Sequence, residues 1–374
     1  MSVRCVRVQD LLGLVHGLYP PDLAEEWDNV GLQVGDPGAV VERVLVALDP
    51  TAGVVAAAAA QGAQLLVTHH PLLFKPLRRL TPDDPTGHVV WQAVQAGVAI
   101  VAAHTNLDVA ADGLNRWLAT RLQLVDAEPL QPVAGQLIKL VVFVPASHAE
   151  TVADALFAAG AGQIGAYDRC SFRAGGIGTF RPGFGTSPFI GTFGEDQLVE
   201  EVRLETVVPQ RRLSRVLERM SQAHPYEEVA YDLIPLANHL PGAGLGRIGR
   251  LAEPLALAEL AERIKAGLAC ETVRLVGRPD QPVSKVAVCG GSGAGLIREA
   301  RRRGADVLVT GDIKYHEARQ GEDLGLALID AGHFATERPA VAELAARLGD
   351  EAAARGWRLD ILVHAGEHDP FIVR

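Results

Sequence analysis

An internal repeat constrains the fold of this chain more than any other feature of its sequence. Residues 58–70 (AAAQGAQLLVTHH) match residues 300–312 (ARRRGADVLVTGD) at an offset of 242. A second match, at an offset of 228, relates residues 97–108 (GVAIVAAHTNLD) to residues 325–336 (GLALIDAGHFAT). Because the two matches occur in the same order, they indicate a duplication. We therefore expect two halves with one architecture.

Each half has the pattern strand, helix, strand, helix, strand. The apolar runs 44–47 and 286–289 are typical of strands that are buried on both faces. The Ala-rich stretch 52–61 and the Arg-rich stretch 294–303 are good helix formers, and a glycine ends each of them. Alternating strands and helices imply βαβ crossovers and a mostly parallel sheet. The predicted fold class is therefore α/β, with two duplicated βαβ-type halves.

A segment of different character separates the halves. It follows a linker rich in Pro and Gly at 128–136, and it has roughly the order β-α-β-β-α-β, which is ferredoxin-like. The Gly/Pro-rich run NHLPGAGLG marks its end near residue 240. The predicted domains are a first half (1–130), an inserted α+β domain (131–240) and a second half (241–374).

Two finer expectations concern this insert. A helix is predicted over 146–160, with Ser147 as its N-cap and Glu150 completing a capping box. The glycine-rich stretch 174–195 suits a flexible loop or a contact between subunits, and it lacks the lysine that a P-loop needs.

The composition excludes several classes of protein. With 48% hydrophobic and 21% charged residues, the chain is typical of globular rather than disordered proteins. A net charge of −10 gives no basic field for nucleic acid or an anionic membrane, and no apolar run approaches the ~18–20 residues that span a bilayer. No secretion signal is visible, and the four cysteines form no C-x-x-C pair. We therefore expect a cytoplasmic enzyme with a small-molecule substrate and neither nucleic acid nor membrane as partner.

Histidines and carboxylates follow three of the predicted strands. In open α/β sheets, ligands bind outside the carboxyl ends of the strands, so we expect these side chains at one edge of a single sheet. Imidazole and carboxylate ligands without thiolate suit Zn²⁺, Mn²⁺, Fe²⁺ or Co²⁺. The candidate residues are His69 and His70, His104 and Asp108, and His333 and Glu337.

Adjacent ligands favour two ions over one. Beyond a strand end the side chains of His69 and His70 diverge, and the two oxygens of Asp108 or Glu337 could bridge a pair of cations. Two such ions generate hydroxide near neutral pH and bind both the attacking and the leaving oxygen. The sequence therefore predicts a two-metal hydrolytic site.

Five motifs in order carry a family resemblance that covers both halves. The chain resembles the NIF3 family, whose members are also called GTP cyclohydrolase I type 2 homologues. The insert, which ends in HPYEEVAYDLIPL, is similar to the CutA-like (PII-like) domain of longer bacterial members. The motifs are EEWDNVGLQVGD (25–36), VTHHPLLF (67–74), AHTNLD (103–108), GGSGAGLIREARRRGADVLVTGDIKYHEA (290–318) and DAGHFATERP (330–339).

The resemblance implies a NIF3-like fold with a dinuclear metal centre and a ring-shaped homohexamer. It also suggests a nucleotide as substrate, with the imidazole ring of GTP opened at its C8 carbon. His104 is interpreted as the catalytic acid/base or as a residue that supports the ligands. The metal ligands implied by the resemblance are His69, His70, Asp108, His333 and Glu337.

Other signals leave alternatives open. GGSGAG (290–295) could contact a phosphate or form a tight turn. Asn29 and Gln33 are candidates for substrate binding or for loop hydrogen bonds, and Asp312 for substrate binding or capping. A two-metal phosphoesterase, or a metal-binding regulatory protein without turnover, remains the alternative to the cyclohydrolase-like enzyme.

Overall fold

A computed structural model describes residues 5–372 of the 374. The helices are α1 (Val8–Leu18), α2 (Ala52–Ala60), α3 (Pro85–Ala96), α4 (Thr105–Val109), α5 (Leu114–Arg121), α6 (Ala149–Ala159), α7 (Leu213–Ala223), α8 (Leu257–Leu268), α9 (Ile297–Arg302), α10 (Tyr315–Leu324), α11 (His333–Glu337) and α12 (Pro339–Ala354). The strands are β1 (Gly31–Val34), β2 (Arg43–Ala47), β3 (Leu65–Thr68), β4 (Ala99–Ala102), β5 (Val125–Ala134), β6 (Leu137–Pro145), β7 (Ser171–Phe180), β8 (Gln197–Pro209), β9 (Tyr231–Leu236), β10 (His239–Ala256), β11 (Arg274–Val276), β12 (Pro282–Val288), β13 (Val307–Thr310), β14 (Ala327–Asp330) and β15 (Asp360–Val363).

The chain divides into two compact units. The first contains the chain up to Pro132 and from Gly242 onward, and the second is Val133–Pro241. The structure is a mixed α/β fold with three sheets in the part of the chain that it describes. None of the described helices is both long enough and apolar enough to cross a membrane.

Each repeat half of the first unit contributes three parallel strands to a separate sheet. The strand orders are β1-β4-β3-β2-β15 and β11-β14-β13-β12-β10-β5. The register repeats at the offsets seen in the sequence, since Thr68 pairs with Ala102 just as Thr310 pairs with Asp330. Strands β2, β3 and β4 are almost wholly buried, as are the carboxyl halves of their counterparts. The uninterrupted β-branched runs therefore form the centres of both sheets.

The expectation of one sheet for both halves is wrong. Strand β2 pairs in parallel with β15, and β12 pairs antiparallel with β10. In each half, the first of the three parallel strands (β2 or β12) therefore already has a neighbour on its outer edge. The two halves do not join into a continuous sheet through these edges. The site residues follow strands of two different sheets.

The second unit contains one antiparallel sheet in the order β7-β8-β6-β9, with α6 after β6 and α7 after β8. The loop expected over 174–195 is wrong for its first part, because β7 pairs with β8 from Ser171 to Phe180. Backbone pairing needs no side chains, and β7 lies at the edge of the sheet, where glycines are tolerated.

Two other local expectations about the insert are also wrong. Helix α6 begins after a 3₁₀ turn (Ala146–His148), so Ser147 is not its N-cap, and Glu150 forms an ion pair with Arg173 instead of a capping box. The Pro/Gly-rich run at 128–136, expected as a linker, lies largely in β5, and the run expected at the end of the insert lies in β10. These two strands are neighbours in the six-stranded sheet.

Candidate metal centre

The carboxyl ends of the strands bring the predicted residues together. His69 and His70 follow β3, and His104 immediately precedes α4, which carries Asp108. In the other half, α11 follows β14 and begins at His333. Its ends are His333 and Glu337, which are four residues apart and therefore share one helix face. The cluster thus joins the strand ends of both sheets within the first unit.

The histidines of the cluster have a common hydrogen-bonding pattern. Each donates its Nδ1–H away from the cluster. The acceptors are the Ala103 carbonyl for His69 (3.0 Å), Asp49 Oδ1 for His70 (2.7 Å), Asp28 Oδ1 for His104 (2.9 Å) and Asp312 Oδ2 for His333 (2.7 Å). This outward bond fixes the tautomer and leaves Nε2 as the nitrogen with a free lone pair, which is the usual arrangement of histidines that bind metals.

Glu337 lies at the centre of the cluster, with its side chain only 4% exposed. Its Oε1 is 3.6 Å from His69 Nε2, and this nitrogen is 3.7 Å from Asp108 Oδ1. Its Oε2 is 2.9 Å from His70 Nε2 and 3.0 Å from His333 Nε2, and these two nitrogens are 3.4 Å apart. One carboxylate therefore presents one oxygen to each of two ligand groups.

The separations fit metal coordination. Ligand atoms on one tetrahedral ion lie about 3.4 Å apart when the metal–ligand bonds are about 2.1 Å. In the described part of the chain, two buried polar atoms of the cluster have no hydrogen-bond partner: His69 Nε2 and Asp108 Oδ1. Leaving such atoms buried without a partner is costly. A cation among these lone pairs would remove that cost, so the residues fit a metal site.

Burial and the neighbouring charges shift the pKa values of the residues in the cluster. Burial raises the pKa of Asp108 to about 7. Burial also opposes the charge of His70, but the carboxylates of Asp49 and Glu337 outweigh it and raise the pKa of His70 to about 10. The Glu337 carboxylate likewise raises the pKa of His333 to about 9. Although burial acts in the opposite direction, the surrounding histidines hold the pKa of Glu337 well below its usual value.

His104 is supported by a carboxylate that the sequence analysis missed. Burial alone would raise the pKa of Asp28, but hydrogen bonds from His104 and Thr105 lower it to about 2, so Asp28 is ionised and accepts the Nδ1–H. The His104 ring centroid is 5.2 Å from that of His69 and 5.6 Å from that of His70. The Nε2 of His104 is thereby held beside the cluster.

Asp28 and Asp49 could not be assigned from their own sequence context. Asp28 lies 76 residues from His104 along the chain, and Asp49 lies 21 residues from His70. Asp49 lies two residues beyond Ala47, the last residue of β2, which is a position where a site residue is expected. That position was the available signal for Asp49; for Asp28 there was only its place inside the EEWDNVGLQVGD motif.

The candidates for substrate binding hydrogen-bond to the protein itself. Asn29 Nδ2 donates to the Leu73 carbonyl (2.6 Å), and Gln33 bonds to the backbone of both Asn29 and Leu73. Asp312 accepts from His333 and from the Ser292 hydroxyl. These contacts are those of the alternative interpretation for Asn29 and Gln33, namely loop stabilisation, while Asp312 orients a histidine of the cluster.

The glycine loop that follows β12 packs against the cluster. Gly291 donates its N–H to Thr336 Oγ1 (3.0 Å), and Gly293 donates to Thr310 Oγ1 (2.8 Å). Two N–H groups that could have bound a phosphate are thus used within the protein. This geometry favours the tight turn over the phosphate contact.

The strand ends of the two βαβ halves bring histidines and carboxylates into one cluster. The chain is thus an α/β protein with a site suited to divalent metal. A sequence profile of the family described as Duf34/NIF3 (NGG1p interacting factor 3) matches residues 6–370. The chain belongs to this family.

Individual relatives extend the match over most of the chain. It is 43% identical to the "GTP cyclohydrolase 1 type 2 homolog" of Halalkalibacterium halodurans over 326 residues (87% of this chain, 88% of the relative), and 43% identical to the protein of that name from Bacillus subtilis over 333 residues (89% of each). Among solved structures, a Bacillus cereus protein related to NIF3 has a TM-score of 0.87 at 41% identity and covers 99% of this chain and 100% of that one. A Staphylococcus aureus protein has a TM-score of 0.82 at 30% identity and covers both chains completely.

Proposed function

We propose that this protein is a metal-dependent hydrolase with a dinuclear centre, acting on a nucleotide in the manner that the name of its relatives suggests. The observation that carries the proposal is the placement of Glu337, whose two oxygens are directed at two separate groups of histidine and carboxylate ligands. A carboxylate that serves two ions is expected to have this arrangement.

The donor set divides into two sites that share Glu337. His69 and Asp108 would hold one ion with Oε1, and His70 and His333 would hold the other with Oε2. Two divalent ions supply Lewis acidity and lower the pKa of a bound water toward 7. Imidazole and carboxylate ligands accept zinc, manganese or iron, so the metal identity is part of the test.

His104 would move the proton in this reaction. Because Asp28 holds its Nδ1–H, the His104 Nε2 is the ring nitrogen that can accept a proton from the attacking group and return it to the leaving group. Thr105 also donates its N–H to Asp28 (3.1 Å), which fixes the carboxylate. His104 would act as the base and Asp28 as the carboxylate that orients it, beside the candidate ligands.

We expect Asp28→Asn to lower kcat about 100-fold or more while the metal content stays at the wild-type level, because Asp28 orients His104 and is not one of the candidate metal ligands. The measurement is turnover of metal-loaded protein together with metal analysis of the same preparation. Asp22→Asn, in the preceding turn of the chain, is the matched control and should leave both values unchanged. An unaltered kcat in Asp28→Asn would remove His104 from the reaction.

Metal uptake should release protons. In chelator-treated protein at pH 7.5, His70 and His333 are protonated because their pKa values are about 10 and about 9, and histidines bind metal only when neutral. We expect about two protons per chain to be released at pH 7.5, and the number to fall as the pH rises through about 9 and then about 10. Calorimetric titration in buffers of different ionisation enthalpy measures this number. Uptake without release at pH 7.5 would contradict the assignment of these two ligands.

The function itself is tested by metal analysis and a substrate panel. We expect about two ions per chain and hydrolysis of GTP or another nucleotide, and we expect Asp108→Ala to lose the hydrolysis and to bind fewer ions. Turnover of simple phosphate esters but not of the purine ring would favour the two-metal phosphoesterase. Metal binding without turnover of any member of the panel would favour the regulatory alternative.

The second unit supports an assembly role beside this chemistry. Its β-α-β-β-α-β order is that of a CutA/PII-like domain, and its sheet exposes large apolar side chains such as Phe172, Ile177 and Leu198. Patches of this kind often mark contacts between proteins. With the family resemblance, this supports a homohexamer, which the mass of the protein in solution tests directly.

A further inference from the structure

Two large aromatic side chains lie beside the cluster and are half exposed. Trp27 is 57% exposed and Phe74 is 49% exposed, and their ring centroids are 5.5 Å apart with an angle of 44° between the planes. Trp27 comes from the loop before β1, and Phe74 comes from the loop between β3 and α3. Two loops therefore contribute one aromatic surface.

This aromatic surface, formed by Trp27 and Phe74, adjoins His104. The His104 centroid is 6.0 Å from Trp27 and 6.2 Å from Phe74, so the three rings are in mutual contact. The same imidazole also contacts His69 and His70, with ring centroids 5.2 and 5.6 Å away. A ligand on the aromatic surface would thus lie one imidazole away from the candidate metal ligands.

The two loops are fastened to each other. The Asn29 side chain donates to the Leu73 carbonyl (2.6 Å), and the Leu73 N–H donates to the Gln33 side chain (2.7 Å). Leu73 directly precedes Phe74, and Asn29 is two residues after Trp27. These bonds explain how the two rings keep their positions although half of each is in solvent.

We propose that Trp27 and Phe74 bind the base of a purine nucleotide by stacking and place it next to His104. This inference rests on the proposed nucleotide hydrolase and specifies its base-binding residues. Aromatic side chains stack on nucleobases through their π-faces. Lys75, Arg78 and Arg79 follow Phe74 in the same loop, are exposed, and form no ion pair within the described residues, so positive charge is available for the phosphates.

The test is calorimetric binding of GMP to metal-loaded protein, with ribose 5-phosphate as a probe that lacks the base. We expect Trp27→Leu and Phe74→Leu each to weaken GMP binding about tenfold, while the affinity for ribose 5-phosphate stays unchanged. Trp91→Leu is the matched control, because Trp91 is 45% exposed on α3 and contacts none of these rings. It should bind GMP as the wild type does.

Three results would overturn the proposal: no GMP binding by the wild type, GMP binding by Trp27→Leu equal to that of the wild type, or a lower solution mass of Trp27→Leu, which would identify a second copy of the chain as the occupant.

Because binding is measured without turnover, the outcome is independent of catalysis. Stacking that depends on Trp27 in a protein that hydrolyses nothing would support this inference and refute the proposed function. Nucleotide turnover that is the same in the wild type, Trp27→Leu and Phe74→Leu would support the proposed function and refute this inference.

Discussion

Glu337→Gln is expected to lower the metal content from about two ions per chain to one or fewer, and to reduce hydrolysis at least about 100-fold. The glutamine has the same shape but no charge, and its amide nitrogen would be directed at one of the two ligand groups that the carboxylate now faces. Metal analysis after dialysis and turnover of the same sample measure both effects.

The same substitution also changes the histidines. The Glu337 carboxylate is the leading cause of the raised pKa of His333 and contributes to that of His70. In Glu337→Gln both pKa values should therefore fall toward the ordinary histidine value, and any remaining metal uptake at pH 7.5 should release fewer protons. This readout does not depend on turnover.

Glu343→Gln is the matched control for this substitution. Glu343 is exposed on α12, the helix that follows Glu337, and replacing it changes the net charge by the same amount. Its metal content and activity should equal those of the wild type. A Glu337→Gln protein that still bound two ions would show that Glu337 is not shared between two sites.

The repeat made the positions of the candidate ligands in the fold predictable from sequence. Once 58–70 was matched with 300–312, the carboxyl end of β3 became equivalent to that of β13, and the rule for open α/β sheets indicated both ends as candidate sites. The same repeat shows where the halves differ. The first half carries His69 and His70, whereas the second carries Gly311 and Asp312 at the equivalent positions.

The arrangement of sheets could not be read from the same pattern. A parallel strand looks alike in sequence whether its neighbour belongs to its own half or to the other half. The decisive strands are β15, which pairs with β2 across more than 300 residues of chain, and β10, whose glycine-rich start resembles a linker. Long-range pairing of this kind leaves no local signal.

The roles of the carboxylates that orient the histidines could not be predicted for a related reason. Asp28 is one acid among 45 acidic residues, and its role depends on a contact with His104 that only the folded chain provides. The capping box failed because a 3₁₀ turn delays the start of α6, a choice that depends on packing. Sequence therefore predicted which histidines and carboxylates lie together at the strand ends, whereas the contacts that support them required the structure.

Gly291 shows how closely the backbone approaches the cluster. It has a φ of +58°, and a Cβ added there would lie 2.2 Å from Glu337 Oε1 and 3.3 Å from His333 Cε1. A residue with a side chain is strained in this left-handed conformation by about 1–2 kcal/mol. More importantly, the atom that would have to move is the carboxylate oxygen directed at His69 and Asp108.

We therefore expect Gly291→Ala to weaken metal binding about 10- to 100-fold, the range seen when residues that support metal ligands are replaced. It should also lower the melting temperature measured in the presence of chelator, since the backbone strain does not depend on metal. Competition with a chromophoric chelator measures the affinity.

Gly295→Ala provides the matched control for the same loop. A Cβ at Gly295 would meet nothing within 4 Å, and Gly295 lies in the 3₁₀ turn Ala294–Leu296, where alanine is well tolerated. Its metal affinity and melting temperature should match the wild type or slightly exceed it. Equal metal affinity in the two variants would mean that the Glu337 side chain can move without loss of metal affinity. The contact with this loop would then not be what holds the carboxylate in place.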